Sequence, residues 1–332
     1  RELEYPTPNP EPIAKLLHGL REDERLDVLH TDNGNPSIIA ENLEPSEEIT
    51  KTLVNTLSDG AVLSFGLESA DSAVHEANWL NCDPKQLKSA IRLINKYGAE
   101  RGERGLPKLL PGLNFIAGLN GETAATYQQN LELLREIRSE NLLLRRINIR
   151  QVEGEGFQEI PEQEFSNFKQ SVRDEIDAPL LEDLFPKGEI LRQVHWESHN
   201  GRTRLPAHLN PPHTEPFIRG KSGITFGRQI GAYPILIGAE YLIPLESTSD
   251  IVVTGHGARS ITGVECSMDY DTITEKQLSA SPGIGDKSAW KLIGERVKLK
   301  RKDSAKSFPD VQSWFSSAGL SWQEDFAPFF SD

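Results

Sequence analysis

Between residues 26 and 152 the chain alternates short apolar runs with helical patterns, and this alternation limits its fold more than any other feature. Residues 26–31, 61–67, 113–117 and 145–152 read as strands. Between them lie a helix with Ile49, Leu53, Val54 and Leu57 at helical spacing, a second over 84–97 with Leu87, Ile91 and Ile94 on one face, and a third over 124–138. A further helix, 11–20, opens the chain. Strand and helix in turn at this spacing build βα units around a parallel sheet. Strands apolar throughout are those covered on both faces. The third run leads into Gly118-Leu-Asn-Gly-Glu-Thr123. Gly118 and Gly121 let the backbone turn tightly and approach a ligand, and Thr123 can cap the helix that starts near Ala124.

Two of these strands carry a polar face. Ser64, Gly66 and Glu68 alternate with Phe65 and Leu67, and Arg146, Asn148 and Arg150 alternate with Ile147 and Ile149. With the isoleucines under the helices, the arginines point to the other side, and a polar sheet face is expected either to meet a ligand or to be a solvated strand end. Two buried guanidinium groups require anions. A ligand carboxylate or phosphate would serve, and so would a structural ion pair with Glu68 or Glu122. His30, Asp32, Asn33 and Asn35 occupy a loop expected at the mouth of the sheet, where α/β barrels carry chemistry. Turn formation alone also accounts for Asp32-Asn-Gly-Asn-Pro36.

With 332 residues the chain is long enough for two or three domains. Its only cysteines, Cys82 and Cys266, are far apart and in no metal-ligand spacing, which opposes a disulfide framework or a zinc site. No apolar run reaches the roughly 20 residues of a membrane span, so no membrane partner and a cytoplasmic location are expected. Residue 1 is Arg and the single methionine is Met268, as expected either of a trimmed chain or of a fragment that begins inside a domain. The net charge of −14 opposes a uniformly basic surface. Residues 287–306 nevertheless hold eight Lys/Arg against Glu295 and Asp303, a local +6 that calls for a localised anionic partner.

Beyond residue 152 the pattern changes. Residues 164–184 read as a helix with Phe165, Phe168, Val172 and Ile176 on one face. Short strands at 189–197, 224–231, 233–243, 250–254 and 260–265 make a small β-barrel the economical reading. His195-Trp-Glu-Ser-His199 has the wrong order for H-E-x-x-H and lies on a strand, and His208 and His213 lie in a Pro-rich loop, so no metal site is expected. Gly255-His-Gly-Ala-Arg-Ser260 is either a phosphate cradle or a tight β-turn. Residues 273–279 read as a helix, Ser281-Pro-Gly-Ile-Gly285 as a hairpin and 286–296 as a second helix. Seven Phe/Trp between 308 and 330 read as a helix docked on the body.

Leu113-Asn-Phe-Ile-Ala-Gly-Leu-Asn-Gly-Glu-Thr123 resembles the fifth barrel strand of radical S-adenosylmethionine (radical SAM) enzymes, and Ser64-Phe-Gly-Leu-Glu-Ser69 resembles the fourth. With Leu29-His-Thr-Asp-Asn-Gly-Asn-Pro36, Gly105-Leu-Pro-Lys-Leu-Leu-Pro-Gly112, Arg145-Arg-Ile-Asn-Ile-Arg-Gln151 and Pro282-Gly-Ile-Gly285, the chain is similar to a mainly archaeal branch of that superfamily. The resemblance implies an α/β fold: a partial radical SAM (β/α) barrel, the later strands, over 1–160 and a post-barrel helix over 161–187. A small β-domain over 188–267, with a Gly201-Arg202 turn, is similar to the RNA-binding barrel of tRNA methylthiotransferases. A helix-hairpin-helix over 268–300 and a basic, aromatic tail over 301–332 complete the order.

Implied contacts to S-adenosylmethionine come from Ser64, Gly66, Glu68, Ser69, Gly118, Gly121, Glu122, Asn148 and Arg150. His30, Asp32, Asn33, Asn35 and Arg146 are implied to face the substrate, and no catalytic residue is singled out. On this resemblance Gly118→Val should block the adenine while leaving the fold nearly intact. The family's [4Fe–4S] cluster needs a C-x-x-x-C-x-x-C loop, which this chain lacks and which is expected upstream. The implied chemistry is a 5′-deoxyadenosyl radical that abstracts hydrogen from an unreactive C–H bond, fed by an electron donor such as ferredoxin or flavodoxin. Gly283 and Gly285 would bring backbone N–H groups to a phosphate at a helix N-terminus, with Lys287 and Lys291 adding charge, so the implied partner is DNA or structured RNA; the alternative, which Asp286 and the acidic body favour, is a helix-hairpin-helix used for protein contacts. The competing reading is a non-enzymatic nucleic-acid-binding protein.

Overall fold

The alternation of strand and helix closes into a four-stranded parallel sheet, β1 (Asn33–Gly34), β2 (Ala61–Glu68), β3 (Leu109–Ala117) and β4 (Arg146–Gln151), paired in chain order. A computed structural model describes residues 5–152, 154, 156–199, 223–303 and 305–331. It divides into two units, Arg1–Leu184 with Gly231–Tyr233, and Phe185–Ile230 with Pro234–Asp332. Register places Asn33, Ser64, Gly112 and Arg146 in one row and Gly66, Asn114 and Asn148 in the next. Side chains alternate across a strand, so Ala61, Leu63, Phe65 and Leu67 meet Leu113, Phe115 and Ala117 in the core, with Ile147 and Ile149 packed against it. The rows above occupy the opposite face.

Amphipathic helices cover the core face. α1 (Pro10–Arg21), α3 (Leu43–Thr56), α5 (Pro84–Gly98) and α6 (Ala124–Ser139) contribute Leu17, Leu53, Leu87, Ile91, Ile94, Leu134 and Ile137. A capping box of Asp83 and Gln86 starts α5. Gly98 ends it where a Cβ would stand 2.0 Å from the Leu109 carbonyl oxygen, an approach only glycine permits. The expected strand over 26–31 does not form. The β1 register puts His30 beside the start of β2, so residues 26–29 run past the end of their partner. Leu29 is held instead by Ser58, whose Oγ accepts its N–H at 3.0 Å. Two short helices, α2 (Pro36–Glu41) and α4 (Ser72–Asn78), stand where the sequence shows no helical period, started by Asn35 and Asp71.

The helix expected over 164–184 is continuous but not uniform: α7 (Glu162–Ser171), a π-helical turn (Val172–Asp177) and α8 (Ala178–Leu184). Its core residues Phe165, Phe168, Val172, Ile176 and Leu180 recur at slightly more than the α-helical period. The wider π turn keeps them on one stripe.

In the second unit β5 (Ile190–His199), β6 (Thr225–Gln229), β7 (Leu236–Ala239), β8 (Thr248–His256) and β9 (Ser260–Glu265) form a closed barrel in the order β5-β6-β7-β9-β8. This is the small barrel the alternation indicates. Trp196 fills it, donating Nε1–H to Ser249 Oγ at 2.8 Å. Gly227 has no side chain because a Cβ would meet the His195 carbonyl oxygen at 2.6 Å and the Trp196 ring at 2.7 Å. Residues 255–260 are the tight turn, closed by the Gly257 N–H on the Ser260 carbonyl. His195 and His199 lie on β5, and His199 Nε2 hydrogen-bonds with the Ile243 carbonyl. Gly201, Arg202, His208 and His213 lie outside the described residues.

α9 (Glu275–Ala280) and α10 (Asp286–Lys302) follow, joined by a turn in which Gly283 has φ 82°. The aromatic tail is not an appended helix. α11 (Val311–Ser317) and a 3₁₀ turn (Glu324–Phe329) bring Trp314, Phe315, Phe326 and Phe330 into one ring cluster. Trp314 Nε1 donates to the Leu292 carbonyl of α10 at 2.8 Å, so residues 301–332 supply the core on which 268–300 rest.

Candidate functional site

The end of β2 is strained. The register shifts between Gly66 and Glu68, and Glu68 has φ 69°, a left-handed conformation that a side chain resists by about 1–2 kcal/mol. Its carboxyl folds back over Gly66, where a Cβ would lie 2.6 Å from Glu68 Oε1. Glu68 Oε2 is buried and has no hydrogen-bond partner. Burial raises the Glu68 pKa above the usual carboxylate value, and the Arg150 charge opposes the rise. Glycine at 66 and glutamate at 68 thus form one device: an acceptor laid flat on the polar face.

Beyond Glu68 the chain turns inward. Ser69 is fully buried, and its Oγ accepts the Asp71 N–H at 3.2 Å. Thr126 Oγ1 donates to Asp71 Oδ2 at 2.6 Å, and the Ala70 N–H donates to Asn130 Oδ1 at 2.6 Å. These bonds fasten the strand end to α6, so the Ser69 side chain is a positioning element rather than a group facing a ligand.

The turn after β3 is built the same way. Gly118 has φ 94°, and its N–H donates to Glu122 Oε2 at 2.9 Å. The Tyr127 hydroxyl donates to the same oxygen at 2.9 Å, and burial followed by the Glu122 charge pushes that phenol far above its ordinary value. Gln158 ties the turn down through its N–H to Gly118 O at 3.0 Å, its Oε1 from the Gly121 N–H at 3.0 Å, and its side-chain amide to Glu122 O. Glu122 is 2 % exposed, and its carboxylate holds the turn through Gly118 and Tyr127. A Cβ at Gly118 would stand 2.4 Å from the Val152 carbonyl oxygen. Gly118→Val therefore strikes the backbone itself, and its effect on binding cannot be separated from its effect on the fold. Gly121 has φ 85° with a Cβ position 3.3 Å from Ala73 O.

On the polar face Ser64 is buried, and Asn148 Nδ2 donates to Asn114 Oδ1 at 3.2 Å. Asn114 escapes a reading of β3 alone, because it belongs to the face only through its register with Gly66 and Asn148. Arg146 and Arg150 are exposed, since β4 is the last strand of the sheet, and neither needs a buried counter-ion.

The loop residues separate. Asn35 accepts the Ser37 and Ile38 N–H groups at 3.0 and 3.2 Å and is a cap. Asn33 pairs beside Ser64, four residues before Glu68, or ~13 Å along the strand. His30 and Asp32 therefore lie away from the C-terminal rim, around Tyr233. The Tyr233 hydroxyl donates to Asp32 Oδ1 at 3.0 Å, and its ring meets His30 edge-on at 5.3 Å and Arg146 at 4.9 Å. Its carbonyl accepts Arg145 Nη2 at 2.5 Å, and burial pushes the Arg145 guanidinium down to about 10. Burial also lowers the His30 pKa, against the charge of Asp32. Sequence proximity gives no signal for Tyr233, which groups with the first unit from far along the chain. Trp79 is likewise unforeseen: it ends α4 at φ 57° and is 83 % exposed.

The residues present do not fit a [4Fe–4S] cluster. Burial pushes the Cys82 thiol up to about 11 and the Cys266 thiol up to about 12, whereas cluster ligands are thiolates. Among the described residues no group of three or more His, Cys, Asp or Glu is placed to hold a metal ion. Glu68 Oε2 is a buried oxygen without a partner, on a carboxyl that covers Gly66. No described helix is long and apolar enough to cross a membrane.

In the second unit Gly283 is required by the fold, since a Cβ would meet the Phe326 ring at 2.8 Å. Gly285, the N-cap of α10, has open space at its Cβ position and no side-chain cap. Lys287 and Lys291 are exposed on the first turns of α10.

No family model matches the chain. It is similar to an uncharacterised protein of Archaeoglobus fulgidus, 38% identical over 307 residues that cover 89% of this chain and 52% of that protein. It is also similar to an uncharacterised protein of Methanocaldococcus jannaschii, 38% identical over 271 residues that cover 78% of this chain and 46% of that protein. The chain thus spans about half the length of these archaeal relatives. Among solved structures, Escherichia coli coproporphyrinogen III oxidase (HemN), described as a radical SAM enzyme, is matched at TM-score 0.34 and 14% identity, over 50% of this chain and 37% of that one. A likeness that slight carries no argument.

Proposed function

We propose that this chain is part of a longer radical SAM enzyme, in which the polar face of the β1–β4 sheet supplies a share of the S-adenosylmethionine pocket and the second unit holds a nucleic-acid substrate. The observation that carries the reading is Glu68. A buried carboxyl oxygen without a partner, on a residue held in a strained conformation at the carboxyl end of a parallel strand, is the arrangement of a ligand site rather than of a packed core. Its raised pKa fits an acceptor that is completed when a donor such as an amino or hydroxyl group arrives. Gly66, Asn148 and Arg150 share its surroundings.

S-adenosylmethionine would supply the radical chemistry, on a cluster whose ligands belong to the rest of the whole protein. What this chain contributes is placement: Glu68 and Gly66 position the nucleoside, and the rigid Gly118–Glu122 turn bounds the pocket. A low-potential donor such as ferredoxin or flavodoxin would serve the whole enzyme. The turn before α10, read as the hairpin of a helix-hairpin-helix, would place the Gly285 end of the helix on a phosphate, with Lys287 and Lys291 beside it.

The test is made on the whole protein, reconstituted anaerobically with iron and sulfide. Cluster absorbance and release of 5′-deoxyadenosine from S-adenosylmethionine after reduction are expected. Glu68→Gln should keep the cluster while raising the S-adenosylmethionine concentration needed. A whole protein without C-x-x-x-C-x-x-C, or one that releases no 5′-deoxyadenosine, leaves the second reading: a non-enzymatic nucleic-acid-binding protein. The observation in favour of that reading is the cationic α10 in a chain whose two thiols are both unsuited to a cluster.

A further inference from the structure

We propose that α10 carries a stacking platform for an unpaired base, so that the partner of the second unit is single-stranded DNA or RNA rather than a duplex. The proposal rests on the nucleic-acid reading given above and goes beyond its phosphate contacts. Ala289 and Leu292 define the buried side of α10, with Trp314 bonded to the Leu292 carbonyl beneath it. At 100° per residue the opposite side carries Lys287, Trp290, Lys291, Gly294, Lys298 and Arg301. Trp290 is 69 % exposed and stands among these cations and Gly294, with the exposed Val297 two turns along at its edge.

Gly294 opens that ring further. Glycine in a helix interior costs about 1 kcal/mol relative to alanine, yet a Cβ here would meet nothing within 4 Å, so packing does not demand it. Helical side chains lean toward the N-terminus and cover the turn before them. A side chain at 294 would therefore lie over Trp290, and glycine leaves the ring uncovered. Lys287, Lys291 and Arg301 make no ion pair among the described residues, whereas Lys298 is held by Glu295 at 2.7 Å. Asp286 is the other acid on the helix.

Charge decides the occupant. A second copy would bring the same cations face to face, and a neutral apolar partner would leave them without counter-charges. A single strand offers phosphates for the cations and bare base faces for the indole, the combination used by proteins that bind single strands. In a duplex the base faces are already stacked on one another and are closed to Trp290.

The experiment is fluorescence anisotropy on the full chain over a range of salt, with labelled oligo-dT, oligo-U and a duplex of equal length, and polyphosphate as competitor. We expect both single strands to bind more tightly than the duplex. Trp290→Ala should weaken single-strand binding about 5- to 150-fold with the salt slope unchanged, and Trp290→Phe should retain most of the affinity. Lys287→Gln and Lys291→Gln should instead flatten the slope by about 0.7 each. Gly294→Ala should raise the melting temperature, and Gly294→Leu should weaken single-strand binding as Trp290→Ala does. Tighter binding than the duplex by only one of dT and U, which differ in both the sugar and the base methyl group, supports the stacking inference for that strand. Binding that depends on the lysines but ignores Trp290 and does not prefer single strands over duplex overturns the stacking inference alone. A chain that binds none of the three, at low salt, removes the nucleic-acid reading and the inference with it.

Discussion

Glu68 is half-buried and sits in a conformation its side chain resists, and each of these costs carries a prediction. Its folded pKa is raised, so the folded state holds its proton to higher pH than the unfolded state does. The stability it contributes is full below the unfolded pKa and is lost as pH rises through the folded one. Glu68→Gln has no such loss, so wild type should fall behind this variant as pH goes from about 4 to about 8 in urea titrations. An unchanged difference would mean that the carboxyl is solvated. Glu68→Gly, which accepts φ 69° freely, should gain about 1 kcal/mol. Glycines divide in the same physical terms. Gly118→Ala, at φ 94° and 2.4 Å from Val152 O, should lose about 2–4 kcal/mol, while Gly285→Val should lose about 1 kcal/mol or less. Equal losses at the two positions would contradict the turn geometry described here.

At the scale of elements, patterns that repeat within a segment were legible and placements that depend on a partner were not. β2, β3, β4, α5 and α6 follow from apolar runs and helical spacing, and the alternation of Arg146, Asn148 and Arg150 with Ile147 and Ile149 is visible in the sequence. The strand expected at 26–31 moves to Asn33–Gly34 because register with β2, not local preference, decides where it pairs. α2 and α4 are too short for a period to show, although Asn35 and Asp71 were legible as caps in hindsight. Asn114 and Tyr233 belong to their faces only through contacts across strands or along most of the chain. The aromatic tail shows the same limit, since its irregular Phe/Trp spacing hides a core. Trp314→Ala should accordingly cost about 3–5 kcal/mol and loosen α10, read as faster amide exchange in residues 289–296. Exchange unchanged there would separate the tail from the helix.

Across the whole molecule, a strained carboxyl on a parallel sheet lies in one unit and an exposed indole among cations in the other, on a chain of net charge −14. Both are features that folding alone does not need, and they are the basis of the function proposed above. The most direct test is calorimetric titration of S-adenosylmethionine into the whole protein and into its Glu68→Gln variant, whose backbone strain is the same. The account predicts measurable binding by the wild type, weakened by about tenfold in the variant, which corresponds to about 1.4 kcal/mol. Equal affinity in the two proteins, or no heat at millimolar S-adenosylmethionine, would contradict it.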